Sequence, residues 1–270
     1  MSHPPLPDPA EAAPPGADTG PYPAPAAARD PSRTRTVSVL GLVMIFSWGS
    51  SYYLPAIFFA PIGAATGWSP GLLAAGFSAG LLIAGLAAPR VGLLIQRHGG
   101  RRVLASGLGL IAAGLVLLAS ARVPAVYIAG WMVTGLGMGA ALYDAAFSTL
   151  GRLYGTGARG AITALTLFGG FASTVCWPLS AWLLGALGWR GALLAYAAFH
   201  CLVTIPLCLR GLPAAETPHP TARAPAGEIG ALSRDPRFWL ISLTAAVLAM
   251  VTTILTATLV PVLTAQGLSL

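Results

Sequence analysis

The feature that most limits what this chain can fold into is where its charges are missing. No Asp, Glu, Lys or Arg occurs at 36–89, 103–121, 123–143, 160–189, 191–209 or 238–270. A helix needs about 20 consecutive apolar residues to cross the hydrocarbon core of a bilayer. The first window has length for two crossings and the others for about one each. In hydrocarbon every backbone N–H and C=O needs a partner within the chain, which leaves helices and closed barrels. These runs are unbroken, without the ten-residue alternation of barrel strands, so the barrel is excluded. The expected spans are 37–61, 70–89, 103–121, 124–149, 161–186, 191–209 and 238–262. Pro55, Pro178 and Pro206 fit such helices, because neighbours in a bundle re-satisfy the freed carbonyls. Only 9% of residues are charged, against roughly 25% in a soluble domain, too few to solvate a water-facing surface.

All 15 basic residues are Arg, and they fall between the expected spans. Arg29, Arg33 and Arg35 precede the first; Arg90, Arg97, Arg101 and Arg102 lie between the second and third; Arg152 and Arg159 follow the fourth; Arg210, Arg223, Arg234 and Arg237 follow the sixth. The opposite side holds only Arg122 and Arg190. Thirteen against two is the positive-inside asymmetry, which predicts a cytoplasmic N-terminus. The net charge of +7 thus reports topology and anionic lipid and implies no nucleic-acid partner.

Residues 1–35 are rich in Pro and Ala without apolar periodicity, which predicts a disordered cytoplasmic tail. The segment has neither the apolar stretch nor the cleavage site of a signal peptide, so the first span is expected to be an uncleaved anchor. Residues 211–236 are again polar and Pro/Ala-rich, a linker between a bundle over 36–210 and a further helix at 237–270. One span beyond a linker, ending where an eighth helix would begin, suggests a truncated sequence. Cys176, Cys201 and Cys208 read as small buried fillers, since no disulfide or metal spacing is present. Gly71, Gly76, Gly80 and Gly85, and Gly130, Gly135, Gly137 and Gly139, are expected to be helix-packing faces. Gly76-Phe-Ser-Ala-Gly80 imitates a nucleophile elbow and Gly135-Leu-Gly-Met-Gly139 a dinucleotide loop, but neither has the strand that such motifs need.

The stretch Gly92-Leu-Leu-Ile-Gln96-Arg97-His-Gly99-Gly-Arg101-Arg102 resembles the signature loop of the major facilitator superfamily. That signature runs Gly, three residues, Asp, a basic residue, one residue, Gly, one residue and two basic residues; Gln96 stands where the family has the acid. Thr66-Gly-Trp-Ser69, Gly188-Trp-Arg190 and Asp235-Pro-Arg-Phe-Trp239 are similar to the monocarboxylate-transporter-like branch. The resemblance covers residues 36–270. It implies an all-α integral membrane fold: a six-helix bundle plus a seventh transmembrane helix, from a transporter of twelve helices built of inverted repeats about a central cavity. It further implies a gating loop of Gly92, Gln96, Arg97, Gly99, Arg101 and Arg102 that latches the two halves on the cytoplasmic face. Gln96 removes the acidic partner of that latch. Trp131 and Trp177-Pro178 stand where proton-linked members often carry an Arg and antiporters Gly-Pro, which weakens an exporter assignment.

Asp144 is the only carboxylate within an expected span, and an ionisable group in hydrocarbon is by default functional. It suits a proton-coupling site; the competing reading is a structural tie to an Arg. The resemblance puts the first and fourth helices on the cavity, which makes Trp48, Tyr52 and Tyr143 substrate candidates, near Ser50, Ser51 and Tyr53. Thr166 and Thr174 join them from a loose stripe with Thr163, Ser173 and Trp177, and His200 reads as a hydrogen-bonded bundle histidine. The expected function is secondary transport of a small organic solute by alternating access in the inner (plasma) membrane, coupled to protons as a symporter. No cofactor, metal or nucleic acid is expected; the partners are the solute and the bilayer. The alternatives are a transport-inactive sensor or scaffold on the same fold and a polytopic membrane enzyme. The enzyme lacks a His-Glu-x-x-His motif and a second intramembrane acid.

Overall fold

The computed structural model describes residues 31–213 and 235–265, and among these every regular element is helical. The first crossing is made of α1 (Pro31–Gly49) and α2 (Leu54–Thr66), and the next two of α3 (Pro70–His98) and α4 (Gly100–Ser120). The fourth is made of α5 (Pro124–Ala141) and α6 (Tyr143–Tyr154). A 3₁₀ turn at Gly155–Gly157 leads to α7 (Ala158–Gly170) and α8 (Ala172–Phe199), then a π turn at His200–Thr204 and α9 (Ile205–Gly211). The last element is α10 (Pro236–Ala265).

Four stretches are long and apolar enough to cross a membrane: Ser32–Thr66, Pro70–His98, Gly100–Ser120 and Pro124–Gly211. As one straight helix the 88 residues of the last would be roughly four times the hydrocarbon thickness. They fold back instead. Within α8 the backbone leaves helical geometry at Gly188 (φ 67, ψ 172), a left-handed position that favours glycine. Ser180 Oγ then meets Tyr196 Oη at 2.7 Å across the bend, so the two arms of α8 lie side by side. Many large apolar side chains face outward, among them Leu82, Leu86, Leu93, Trp182 and Leu202. Such a surface is stable against lipid and aggregates in water.

Arginines tie the helix ends at one end of the bundle. Arg33 Nη2 donates to Gly157 O at 2.7 Å, Arg35 Nη2 to Arg210 O at 3.1 Å and Arg101 Nη1 to Leu209 O at 3.2 Å. Arg35 and Arg101 meet carbonyls left orphaned at the C-terminus of α9, where the dipole also favours a cation, while Arg33 meets the turn between α6 and α7. At the far end Arg190 Nη2 donates to Ala121 O at 3.1 Å.

The interior is sealed by small residues where α3, α4 and α5 cross. Gly80 packs on the backbone of Trp131, Gly137 on Gly107 and Ile111, and Gly114 on Thr134. A methyl group at Gly135 would overlap the carbonyl of Gly80. These close approaches bear out the packing reading of Gly76, Gly80, Gly130, Gly135, Gly137 and Gly139, but Gly85 faces open space and Gly71 meets only its own N-cap Ser69.

Several expectations need correction. The first crossing is not one helix over 37–61: it starts at Pro31 and breaks at Ser50–Tyr53. Pro55 has no N–H for Ser51 O, and its ring crowds that carbonyl; Ser51 O accepts from Leu54 N at 3.3 Å instead. Residues 31–35, expected in the tail, are helical, and Arg33 and Arg35 anchor them. The rest of the expected tail lies outside the described residues. The signature stretch is not a loop. Gly92–His98 continues α3 because Leu93, Leu94 and Ile95 prolong its apolar run, Gly100–Arg102 opens α4, and Gly99 (φ 82) alone makes the turn. The fourth crossing extends to Tyr154 and is interrupted at Leu142 (φ −90, ψ −162). Cys201 is exposed, whereas Cys176 and Cys208 are buried and all three are free. Of the expected linker, 214–234 lies outside the described residues. Beyond it α10 is exposed along nearly all of its described side chains and packs beside α2.

Candidate functional site

The break after α1 and the break before α6 bring aromatic side chains together. Trp48 lies in the last turn of α1, and its ring centroid lies 5.0 Å from that of Tyr52, 5.8 Å from Tyr53 and 5.0 Å from Tyr143. Tyr143 begins α6 and stacks on Phe147 one turn later, centroids 5.0 Å apart and planes 12° from parallel. Tyr53 meets the edge of Trp177 at 6.4 Å, and Tyr52 that of Phe77 at 5.9 Å. Trp48, Tyr52, Tyr53, Tyr143, Phe147 and Trp177 are each half-buried, so the cluster forms an open aromatic face. The indole N–H groups of Trp48 and Trp177 are buried without an oxygen or nitrogen acceptor and sit among rings.

Asp144 stands beside this face. It is exposed, in the first turn of α6, on the side away from buried Ala145, Ala146, Thr149 and Leu150. The first-turn N–H groups of a helix lack acceptors within it, and a carboxylate there is stabilised by the dipole. No hydrogen bond or ion pair joins Asp144 to a described residue, so the reading of it as a tie to an Arg finds no partner among them. The Arg on its own helix, Arg152, is buried and donates through Nη1 to the carbonyl of Gln96.

Of the residues singled out in the sequence, the fold gathers Trp48, Tyr52, Tyr143 and Asp144 on one side. Thr166 touches them through its backbone, accepting from Tyr143 Oη at 3.2 Å, while its hydroxyl donates to Ile162 O at 2.9 Å within its own helix. Thr174 is exposed on α8 and makes no hydrogen bond with the cluster. The signature residues lie at the arginine-rich end. Gly92 is half-buried beside open space, Gln96, Arg97 and Arg102 are exposed, Gly99 makes the turn, and Arg101 caps α9. Sequence reasoning missed Phe147, Phe77 and Arg152. For Phe147 the signal was its i+4 spacing from Tyr143; for Arg152 there was none, since its acceptor lies 56 residues away.

His200 is fully buried, with Nε2 2.7 Å from Ser50 Oγ and Nδ1 2.8 Å from Thr204 Oγ1, which agrees with its reading as a hydrogen-bonded bundle histidine. Among the described residues no group of three His, Cys, Asp or Glu is arranged to hold a metal ion.

Comparison with known proteins gives one family. The model described as Major Facilitator Superfamily matches residues 39–270. No curated protein sequence matches the chain.

Proposed function

The chain belongs to the Major Facilitator Superfamily and is thus a multi-pass membrane transporter, and from that premise we propose that it moves a small organic solute by alternating access, with proton movement coupled through Asp144. One observation carries the reading. Asp144 is an exposed carboxylate, unpaired among the described residues, in the first turn of a helix that restarts part-way through the bundle, beside the aromatic face of Trp48 and Tyr143. A proton on Asp144 removes the charge that the N-terminus of α6 stabilises, so protonation changes the field at the solute face. The rings favour a solute with apolar or aromatic surface, and Tyr52, Tyr53 and Thr166 add polar contacts.

Residues 36–210 form the first bundle of the transporter, 211–236 link it, and α10 opens the second. The Gly188-Trp-Arg190 and Asp235–Trp239 likenesses favour the monocarboxylate-transporter-like branch. The Arg-rich end faces the cytoplasm by the positive-inside rule, in the plasma membrane, and the direction is symport.

The test is Asp144→Asn in the protein reconstituted with a pH gradient. Asn keeps shape and hydrogen bonding but cannot titrate. Accumulation of solute against its gradient should be lost while exchange counterflow persists at wild-type folded yield. Unchanged pH-driven accumulation would remove Asp144 from the mechanism.

A further inference from the structure

Away from the aromatic face, a groove of about 500 Å³ runs between α3 and α4 at the arginine-rich end, with α5 as its floor. Its wall is apolar along most of its length: Ala87, Val91 and Leu94 of α3, Val103 and Leu110 of α4, and Leu136 of α5. The remainder is basic. Arg90, His98 and Arg102 line it, and all three are exposed. Arg90 lies about two turns before the end of α3. Its one hydrogen bond here, to Leu86 O of its own helix, is a long 3.5 Å. Ser106 Oγ donates to Arg102 O at 2.9 Å and keeps its lone pairs toward the groove. Among the described residues the carboxylates are Asp144 and Asp235, and neither lines the groove, so no described carboxylate offsets its arginines.

We propose that this groove is a binding site for an anionic phospholipid of the leaflet that the arginine-rich end faces. The phosphodiester is met by Arg90, Arg102 and His98, and one acyl chain lies along Val91, Leu94, Leu110 and Leu136. Charge complementarity selects the occupant's headgroup, and the apolar wall selects its tail. A free phosphate would leave that wall in water, and a neutral lipid would leave the guanidinium groups without a net counter-charge. Juxtamembrane arginines attract anionic lipid individually and weakly; here two guanidinium groups and an imidazole converge on one apolar slot. The site is independent of the solute face, since it shares no residue with it.

The experiment is native mass spectrometry of the protein released from nanodiscs of equal parts phosphatidylglycerol and phosphatidylcholine. The wild type should retain phosphatidylglycerol over phosphatidylcholine by roughly tenfold or more, and 0.5 M salt before release should reduce the preference. Arg90→Gln/Arg102→Gln should abolish the preference with the size-exclusion profile unchanged. Because that variant removes charges near a helix turn, Ala87→Phe serves as the second variant. It narrows the apolar slot, keeps every cation, and should lower retention too. Equal retention of both lipids by the wild type would overturn the proposal. So would protection from thermal unfolding by inorganic phosphate equal to that by phosphatidylglycerol, which would make this an anion site without a lipid tail.

Discussion

Ser50 Oγ and His200 Nε2 lie 2.7 Å apart, joining the break in the first crossing to the π turn of the sixth across 150 residues of chain. On the other side of the ring Nδ1 lies 2.8 Å from Thr204 Oγ1, which also reaches His200 O at 3.2 Å. Both nitrogens of a fully buried imidazole are satisfied, and each irregular segment is held by the other.

Ser50→Ala leaves Nε2 buried without its hydrogen-bond partner, which should cost about 1–3 kcal/mol. His200→Leu lets Ser50 and Thr204 turn to carbonyls of their own helices, so Ser50→Ala/His200→Leu should lose less than the sum of the single changes. Thermal stability in detergent, read by fluorescence-detected size exclusion, measures the cycle. Strict additivity would show that the two side chains are not coupled.

Gly135→Ala and Gly137→Ala should sharply reduce folded yield, because each new methyl meets backbone that cannot rotate away: the Gly80 carbonyl for one, Gly107 O and Ile111 N for the other. Gly85→Ala and Gly151→Ala meet nothing within 4 Å and should be neutral or stabilising by about 0.5–1 kcal/mol through helix propensity. Expression and melting of the four variants give the comparison. A loss at Gly85 equal to that at Gly135 would refute the seam.

Arg152 reaches the backbone of Gln96 rather than its side chain. Gln96→Ala should therefore change stability by less than about 0.5 kcal/mol. Arg152→Ala removes a charge-assisted hydrogen bond from a buried position and should cost about 1.5–3 kcal/mol. Unfolding midpoints of the two variants decide it, and a larger loss for Gln96→Ala would reverse the assignment.

The sidedness proposed from the arginines can be read with cysteine probes in a background with Cys176, Cys201 and Cys208 replaced. Ala65→Cys, in the exposed last turn of α2, should react with an impermeant maleimide on intact cells. His98→Cys, exposed at the end of α3, should react only after permeabilisation. Labelling of His98→Cys on intact cells would invert the topology.

The crossings are legible because they follow from a bulk property, the cost of charge in hydrocarbon, and among the described residues each charge-free window is mostly helix. The tight crossings at Gly80, Gly135 and Gly137 were legible from spacing alone. The breaks were not. Leu142 carries no local signal, since neither Gly nor Pro stands there, and Pro55 was read as tolerated when its ring in fact opens the turn at Ser50–Tyr53. The signature stretch was read as a loop from its glycines, although the apolar Leu93–Ile95 run outweighs them. In the candidate site, Trp48 and Tyr52 are one turn apart and so were visible as a pair. Their meeting with Tyr143 and Trp177 depends on how distant helices cross, which no window of sequence encodes.

The backbone-to-backbone seam of α3, α4 and α5 makes that part of the molecule a stiff spar. Glycine-to-carbonyl contact leaves little side-chain layer between these helices to shear. Compliance is left to the joints at Ser50–Tyr53, Leu142, Phe171 and His200–Thr204. Three of these lie along the two crossings that carry the aromatic face, or directly against it. Bending of the bundle is therefore expected at those joints, beside the proposed solute face, with the seam as the fixed frame.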